Sequence, residues 1–142
     1  MSVIAVAGGT GGLGRAIVDA LVSEGKHTTF VLGREVYTPG NRYTDYISDY
    51  HLLQTSESKE KEIGNCILAL NYGDIDTLVA VLETNKIEVV ISTLNLMQGA
   101  GAEHALIQAA AKSSVTKRYI PSIWGINYTE EYVTCLAHLG SR

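Results

Sequence analysis

The chain has 142 residues, 46% hydrophobic and 18% charged, with a formal net charge of −4. That length fits one domain with a real core, and the composition excludes a disordered chain. The acidic balance argues against a nucleic-acid groove, and no apolar run is long enough to span a membrane.

Met1-Ser2-Val3-Ile4 enters the first strand directly, without the basic region and cleavage site of a signal peptide. Cys66 and Cys135 lie far apart and outside any ligand-spaced cluster, so they read as two inert thiols in a reducing cytoplasm. No metal site is expected. Val3 to Ala7 is an apolar run of strand length that ends in Gly8-Gly9-Thr10-Gly11-Gly12-Leu13-Gly14-Arg15. A helix pattern follows at once, with Leu13, Ala16, Ile17, Ala20 and Leu21 predicted as its buried face. Strand, glycine turn and helix are the context a dinucleotide fingerprint requires. Gly8 permits the sharp exit from the strand, Gly11 bares the first helical amides to a pyrophosphate, and Gly14 lets the helix lie close. The plainer alternative is a merely flexible glycine turn.

Gly25 marks the end of that helix, and Thr28 to Leu32 forms the second strand, which closes on Gly33-Arg34-Glu35. In NAD-binding members of the fold an acidic residue here holds the ribose hydroxyls. Arg34 instead matches a 2′-phosphate, with Arg15 as a second cation, so NADP(H) is favoured and NAD(H) is the alternative. Glu35 either serves a ribose or neutralises Arg34, and a solvated surface arginine is the bland reading.

From about 36 to 65 the periodicity is lost, and the segment reads as an irregular insert rich in tyrosine, with no chemistry assigned. Cys66 to Leu70 is the third strand, and Ile75, Leu78, Val79 and Leu82 stripe the next helix. Asp74 has two readings of equal weight, an acceptor for the adenine amino group and the helix N-cap. Ile87 to Ser92 is a nearly continuous apolar run, as in a central parallel strand. Thr93, Leu94 and Asn95 follow it at the switch point, where backbone groups line the middle of a crossing ligand. Ala102, Ala105, Leu106, Ala109 and Ala110 form one helix face, with His104 outside it. Arg118 to Ser122 is the fifth strand, Pro121 fitting only at its end, and a short helix is predicted from Thr129 to Gly140. The expected fold is α/β, a Rossmann-type doubly wound parallel sheet of order 3-2-1-4-5 over 1–142, truncated after the fifth strand.

Gly8 to Arg15, Val31-Leu32-Gly33-Arg34, Tyr72-Gly73-Asp74 and Arg118 to Gly125 together resemble the NmrA-like group of atypical short-chain dehydrogenases. Isoflavone-reductase-like and phenylcoumaran-benzylic-ether-reductase-like enzymes belong to that group. The resemblance covers 1–35 and 66–131. It implies that Gly11, Gly12 and Leu13 hold the pyrophosphate, Arg34 the 2′-phosphate, and Thr93 to Leu96 the region of the nicotinamide ribose. With Gly8, Thr10, Gly14, Arg15, Asp74, Pro121 and Ser122 these make up the expected cofactor site.

The chain departs from the family in three places. The 36–65 segment is longer than the family's link, and Ile123 stands where the reductases place an acidic residue. No lysine follows Pro121, and Tyr128-x-x-x-Tyr132 is not a Tyr-x-x-x-Lys pair, so no catalytic residue is assigned. Three functions compete: an NADPH-dependent reductase acting on a small aromatic substrate, a non-catalytic dinucleotide-sensing regulator with a protein partner, and an inactive truncated product. An open sheet edge beyond the fifth strand is expected to favour self-association.

Overall fold

The computed structural model describes residues 1–34, 64–96 and 99–124. Its strands are β1 (Val3–Ala7), β2 (Thr28–Arg34), β3 (Ile67–Leu70), β4 (Val89–Ser92) and β5 (Arg118–Ile120). The helices among the described residues are α1 (Gly12–Glu24), α2 (Ile75–Thr84) and α3 (Gly101–Lys112). All strand pairs are parallel, in the predicted order β3-β2-β1-β4-β5.

The sheet has two unlike faces because side chains alternate along each strand. Ala5 and Ala7 of β1 join Leu32, Leu70, Leu78, Leu82, Val90 and Leu106 in one core, which packs α2 and α3 on that face. Ile4 and Val6 point the other way, into a smaller core with Val18 of α1, Val31 and Ile91. Burial on both faces explains why the central strands read as continuous apolar runs.

The predicted face of α1 is corrected by one position. Gly14 and Val18 are buried and Ile17 and Leu21 half-buried, whereas Leu13, Ala16 and Ala20 are exposed. The true face, 14-17-18-21, keeps the helical spacing, but its contact point is a glycine, which a count of apolar side chains passes over. Gly25 ends α1 as predicted, at φ 65°, with its amide donating to the Leu21 and Val22 carbonyls. β4 begins at Val89 rather than Ile87, because the Ile87 amide donates to the Leu82 carbonyl in the turn leaving α2. β5 stops at Ile120 rather than Ser122, since Pro121 has no amide to continue the ladder. Among the described residues no helix is long and apolar enough to cross a membrane. Glu35, the tyrosine-rich segment up to residue 63, Tyr128 and the predicted final helix lie outside the described residues.

Candidate functional site

The carboxyl ends of β1, β2 and β4 converge on the glycine turn. Gly8 takes φ +77°, a conformation that a side chain would strain, and its amide donates to the Leu32 carbonyl at 3.3 Å. The Gly11 amide closes the turn on the Gly8 carbonyl at 2.9 Å, and the Arg15 amide opens the helix on the Gly11 carbonyl. Gly11 is therefore the N-cap of α1, in extended conformation and with no side-chain cap. Neither a capping side chain nor an acidic residue occupies the first turn. The amides there face outward with the positive end of the helix dipole, which is how an anion is held without a lysine. Thr10, Gly11, Gly12 and Leu13 are all exposed around this cradle.

Thr93 connects the cradle to β4. Its amide and its hydroxyl both donate to the Ala7 carbonyl, at 2.9 and 2.8 Å. That hydroxyl also fills the space in front of Gly8 and Gly14: a Cβ at Gly14 would lie 2.6 Å from Thr93 Oγ1 and 2.3 Å from the Gly8 carbonyl oxygen. Gly9, absent from the expected site, is confined less severely, its Cβ meeting Val31 and Val18 methyl groups at 3.0–3.2 Å. Gly12 differs. A Cβ there meets nothing within 4 Å, so its surroundings are open.

At the far side of β2, Arg34 is exposed and in register with Leu70 of β3. Tyr72, buried just after β3, donates its hydroxyl to the Leu32 carbonyl at 3.1 Å. Burial holds that hydroxyl un-ionised well above its ordinary range, while the Arg34 charge pulls the other way. The guanidinium therefore stands close to the carboxyl ends of β2 and β3. Arg15, one turn into α1, is ion-paired to Asp19 at 2.9 Å.

Asp74 caps α2. One carboxylate oxygen accepts the Asp76 and Thr77 amides, and the other accepts the Thr77 hydroxyl at 2.6 Å. The Thr77 hydroxyl, then its amide, hold the carboxyl below its ordinary range. The contribution of this cap is thus present above the unfolded value and is lost as the pH falls through the lower folded one. Asp74→Ala should lower Tm by roughly 3–6 °C near neutral pH. The gap between the two proteins should then narrow in melts taken below about pH 4. A constant gap across that range would show that the cap does not act through its charge.

The ends of β4 and β5 meet over the first turn of α3. Glu103 is buried there at 6% exposure, although it is no member of the predicted alanine stripe. One Glu103 oxygen accepts a short hydrogen bond from the Ser92 hydroxyl, and the other accepts the Ser122 amide at 3.0 Å. The Ser122 hydroxyl donates to the Leu94 carbonyl at 2.7 Å, and the Leu94 amide approaches Ser92 Oγ at 3.4 Å. Trp124 Nε1 donates to the Ser92 carbonyl at 2.7 Å, while its ring stays half exposed. Tyr119, part-buried on β5, brings its buried hydroxyl beside Glu103 and Ser92 without well-formed hydrogen-bond geometry to either. Burial first, and then the Glu103 charge, keeps that hydroxyl protonated.

The expected residues thus fall into three groups. Gly8, Thr10, Gly11, Gly12, Leu13, Gly14 and Thr93 share the cradle, with Arg15 a turn away. Leu94, Asn95, Pro121 and Ser122 gather at the ends of β4 and β5. Arg34 and Asp74 flank the ends of β2 and β3. Glu103 and Tyr72 were missed. The signal for Glu103 was available: it lies three residues before Leu106 and seven before Ala110, a carboxylate on an apolar stripe.

The NmrA-like family model matches residues 1–137. An oxidoreductase of Metarhizium robertsii, swnN, is 33% identical over 90% of this chain and 32% of its own length. An isoflavone reductase homologue of Arabidopsis thaliana is 33% identical over 89% of this chain and 36% of its own. The binary complex of leucoanthocyanidin reductase with NADPH from Vitis vinifera superposes with a TM-score of 0.64, at 20% identity, over 97% of this chain and 45% of that one. The chain thus spans about a third of the length of these curated relatives.

Proposed function

The chain belongs to the NmrA-like family, and within it we propose that residues 1–124 form the NADP(H)-binding part of an isoflavone-reductase-like oxidoreductase. One observation carries this reading: an uncapped, acid-free helix N-terminus behind a glycine turn, at the switch point of the sheet. The pyrophosphate lies against Gly11, Gly12 and Leu13, on the amides of Gly12 and Leu13, since the Gly11 amide is already held by the Gly8 carbonyl. Arg34 pairs with the 2′-phosphate of the adenosine ribose, and Asp74 stands on the same side of the sheet for the adenine. The nicotinamide end crosses β4 toward Leu94, Asn95, Pro121 and Ser122. NADPH, when bound, supplies the hydride, and this chain's residues bind and orient it.

A dinucleotide-responsive regulator without turnover is the second reading, and one observation favours it. The hydroxyls of Ser92, Thr93 and Ser122 at the nicotinamide end all donate within the fold, leaving none of the three to protonate a substrate.

Calorimetric titration of the folded chain with NADPH, NADP⁺ and NADH tests the shared premise. Saturable binding with preference for the 2′-phosphorylated forms is expected. A folded chain that binds none of them overturns both readings.

A further inference from the structure

We propose that Glu103 is a positioning residue for the nicotinamide half of the ligand site, an inference that rests on the dinucleotide reading above. Glu103, Ser92, Leu94 and Ser122 form a closed ring of hydrogen bonds: Leu94 amide to Ser92 hydroxyl, Ser92 hydroxyl to Glu103, Ser122 amide to Glu103, and Ser122 hydroxyl to Leu94 carbonyl. The ring ties together three elements that no shared backbone ladder joins at this point, namely the end of β4, the end of β5 and the first turn of α3. Leu94 and Ser122 are the two segments that the crossing ligand is expected to touch, and the ring sets their separation.

A carboxylate suits this position for a chemical reason. It accepts only, so it dictates the direction of both donors it meets. The Ser92 proton must point at Glu103, which leaves the Ser92 lone pairs facing the Leu94 amide. Among the described residues no cation pairs with Glu103. Its charge is met by hydrogen bonds from Ser92 and Ser122, by the Tyr119 hydroxyl beside it, and by its place in the first turn of α3, the positive end of that helix. A buried carboxylate without a cation is costly to keep, and apolar packing would be cheaper for stability alone. What such packing would not do is fix the hydroxyls and loop ends that line the site.

The adenosine half of the ligand lies on the opposite side of the glycine turn, near Arg34, and touches no member of the ring. Two ligands therefore separate positioning from general stability: NADPH, and adenosine 2′,5′-bisphosphate, which carries only the adenosine half. Glu103→Ala removes both hydrogen bonds that hold the two loop ends and should weaken NADPH about tenfold. It should leave the bisphosphate within about twofold. Glu103→Gln should restore NADPH binding only in part, to within about threefold, because its carbonyl still accepts from Ser122 while its amide must donate to Ser92 and turns that hydroxyl from its native direction. Should Glu103→Ala fail to fold, Ser92→Ala decides instead: Ser92 is fully buried, so its loss breaks the ring at Glu103 and at the Leu94 amide without removing a group exposed to the ligand, and it should weaken NADPH selectively. Parallel weakening of both ligands, unchanged NADPH binding, or failure of Gln to rescue would each overturn the proposal. A wild-type chain that binds neither ligand is a different result, and overturns the dinucleotide reading itself.

Discussion

Gly14→Ala should unlock α1 from the sheet. The added carbon would sit 2.3 Å from the Gly8 carbonyl oxygen and 2.6 Å from Thr93 Oγ1, far inside contact distance. Neither obstacle can step aside cheaply. The Gly8 carbonyl already accepts the Gly11 amide, and the Thr93 hydroxyl is bound to the Ala7 carbonyl. The helix must retreat, opening the buried contact at Val18 and breaking the cradle together. Overpacking against fixed backbone costs about 3 kcal/mol, from a total of about 5–15 for a domain of this kind. In thermal melts that is a fall of about 10 °C, accompanied by loss of dinucleotide binding. Gly12→Ala is the counterpart. Its carbon enters open space, so Tm should stay within a degree or two while NADPH binding weakens severalfold. The crossed pattern separates a glycine kept for packing from one kept for the ligand. An unchanged Tm in Gly14→Ala would show that α1 can slide, and would remove the physical basis for the third glycine of the motif.

Those two glycines also show what the sequence could and could not disclose. The β-strands were legible because burial on both faces leaves continuous apolar runs, and Val3–Ala7 and Val89–Ser92 are such runs. Strand order followed from the glycine turn after the first strand and the handedness of parallel crossovers. The face of α1 was misread because Gly14, its point of closest approach, contributes no apolar atoms to a periodicity count, while Ala16 and Ala20 are too small to mark a side. Thr93 is expected in the site from its place at the switch point as well as through the resemblance, yet its bonds to Ala7 are contacts 86 residues apart in sequence, which no local pattern announces. Glu103 was passed over for a similar reason. A single carboxylate on an alanine-rich helix reads as solvated unless its position relative to Leu106 is weighed, and its partners come from two strands that flank the helix in sequence. Asp74 was ambiguous by nature: the same carboxylate, in the same loop, fits a helix cap and an adenine, and the structure displays the cap.

Arg34→Ala should erase the distinction between NADPH and NADH. The two ligands differ by one phosphate on the adenosine ribose, so only a group that meets this phosphate can set the preference. Arg34 ends β2 with its side chain exposed, where its charge reaches the Tyr72 hydroxyl beside it. A guanidinium at that point offers a paired donor fork to phosphate oxygens, an interaction worth about 1.5–3 kcal/mol. Removing it should weaken NADPH by about 10–100-fold and leave NADH within about twofold. Stability should hardly move, because an exposed strand-end side chain away from the core contributes little. Arg34→Lys should fall between, keeping the charge and losing the fork. Equal weakening of both dinucleotides would place Arg34 at the pyrophosphate, where both ligands are alike. No change in either would make it a solvated surface arginine, and the preference for NADP(H) would then have to come from Arg15, whose Nε is paired with Asp19.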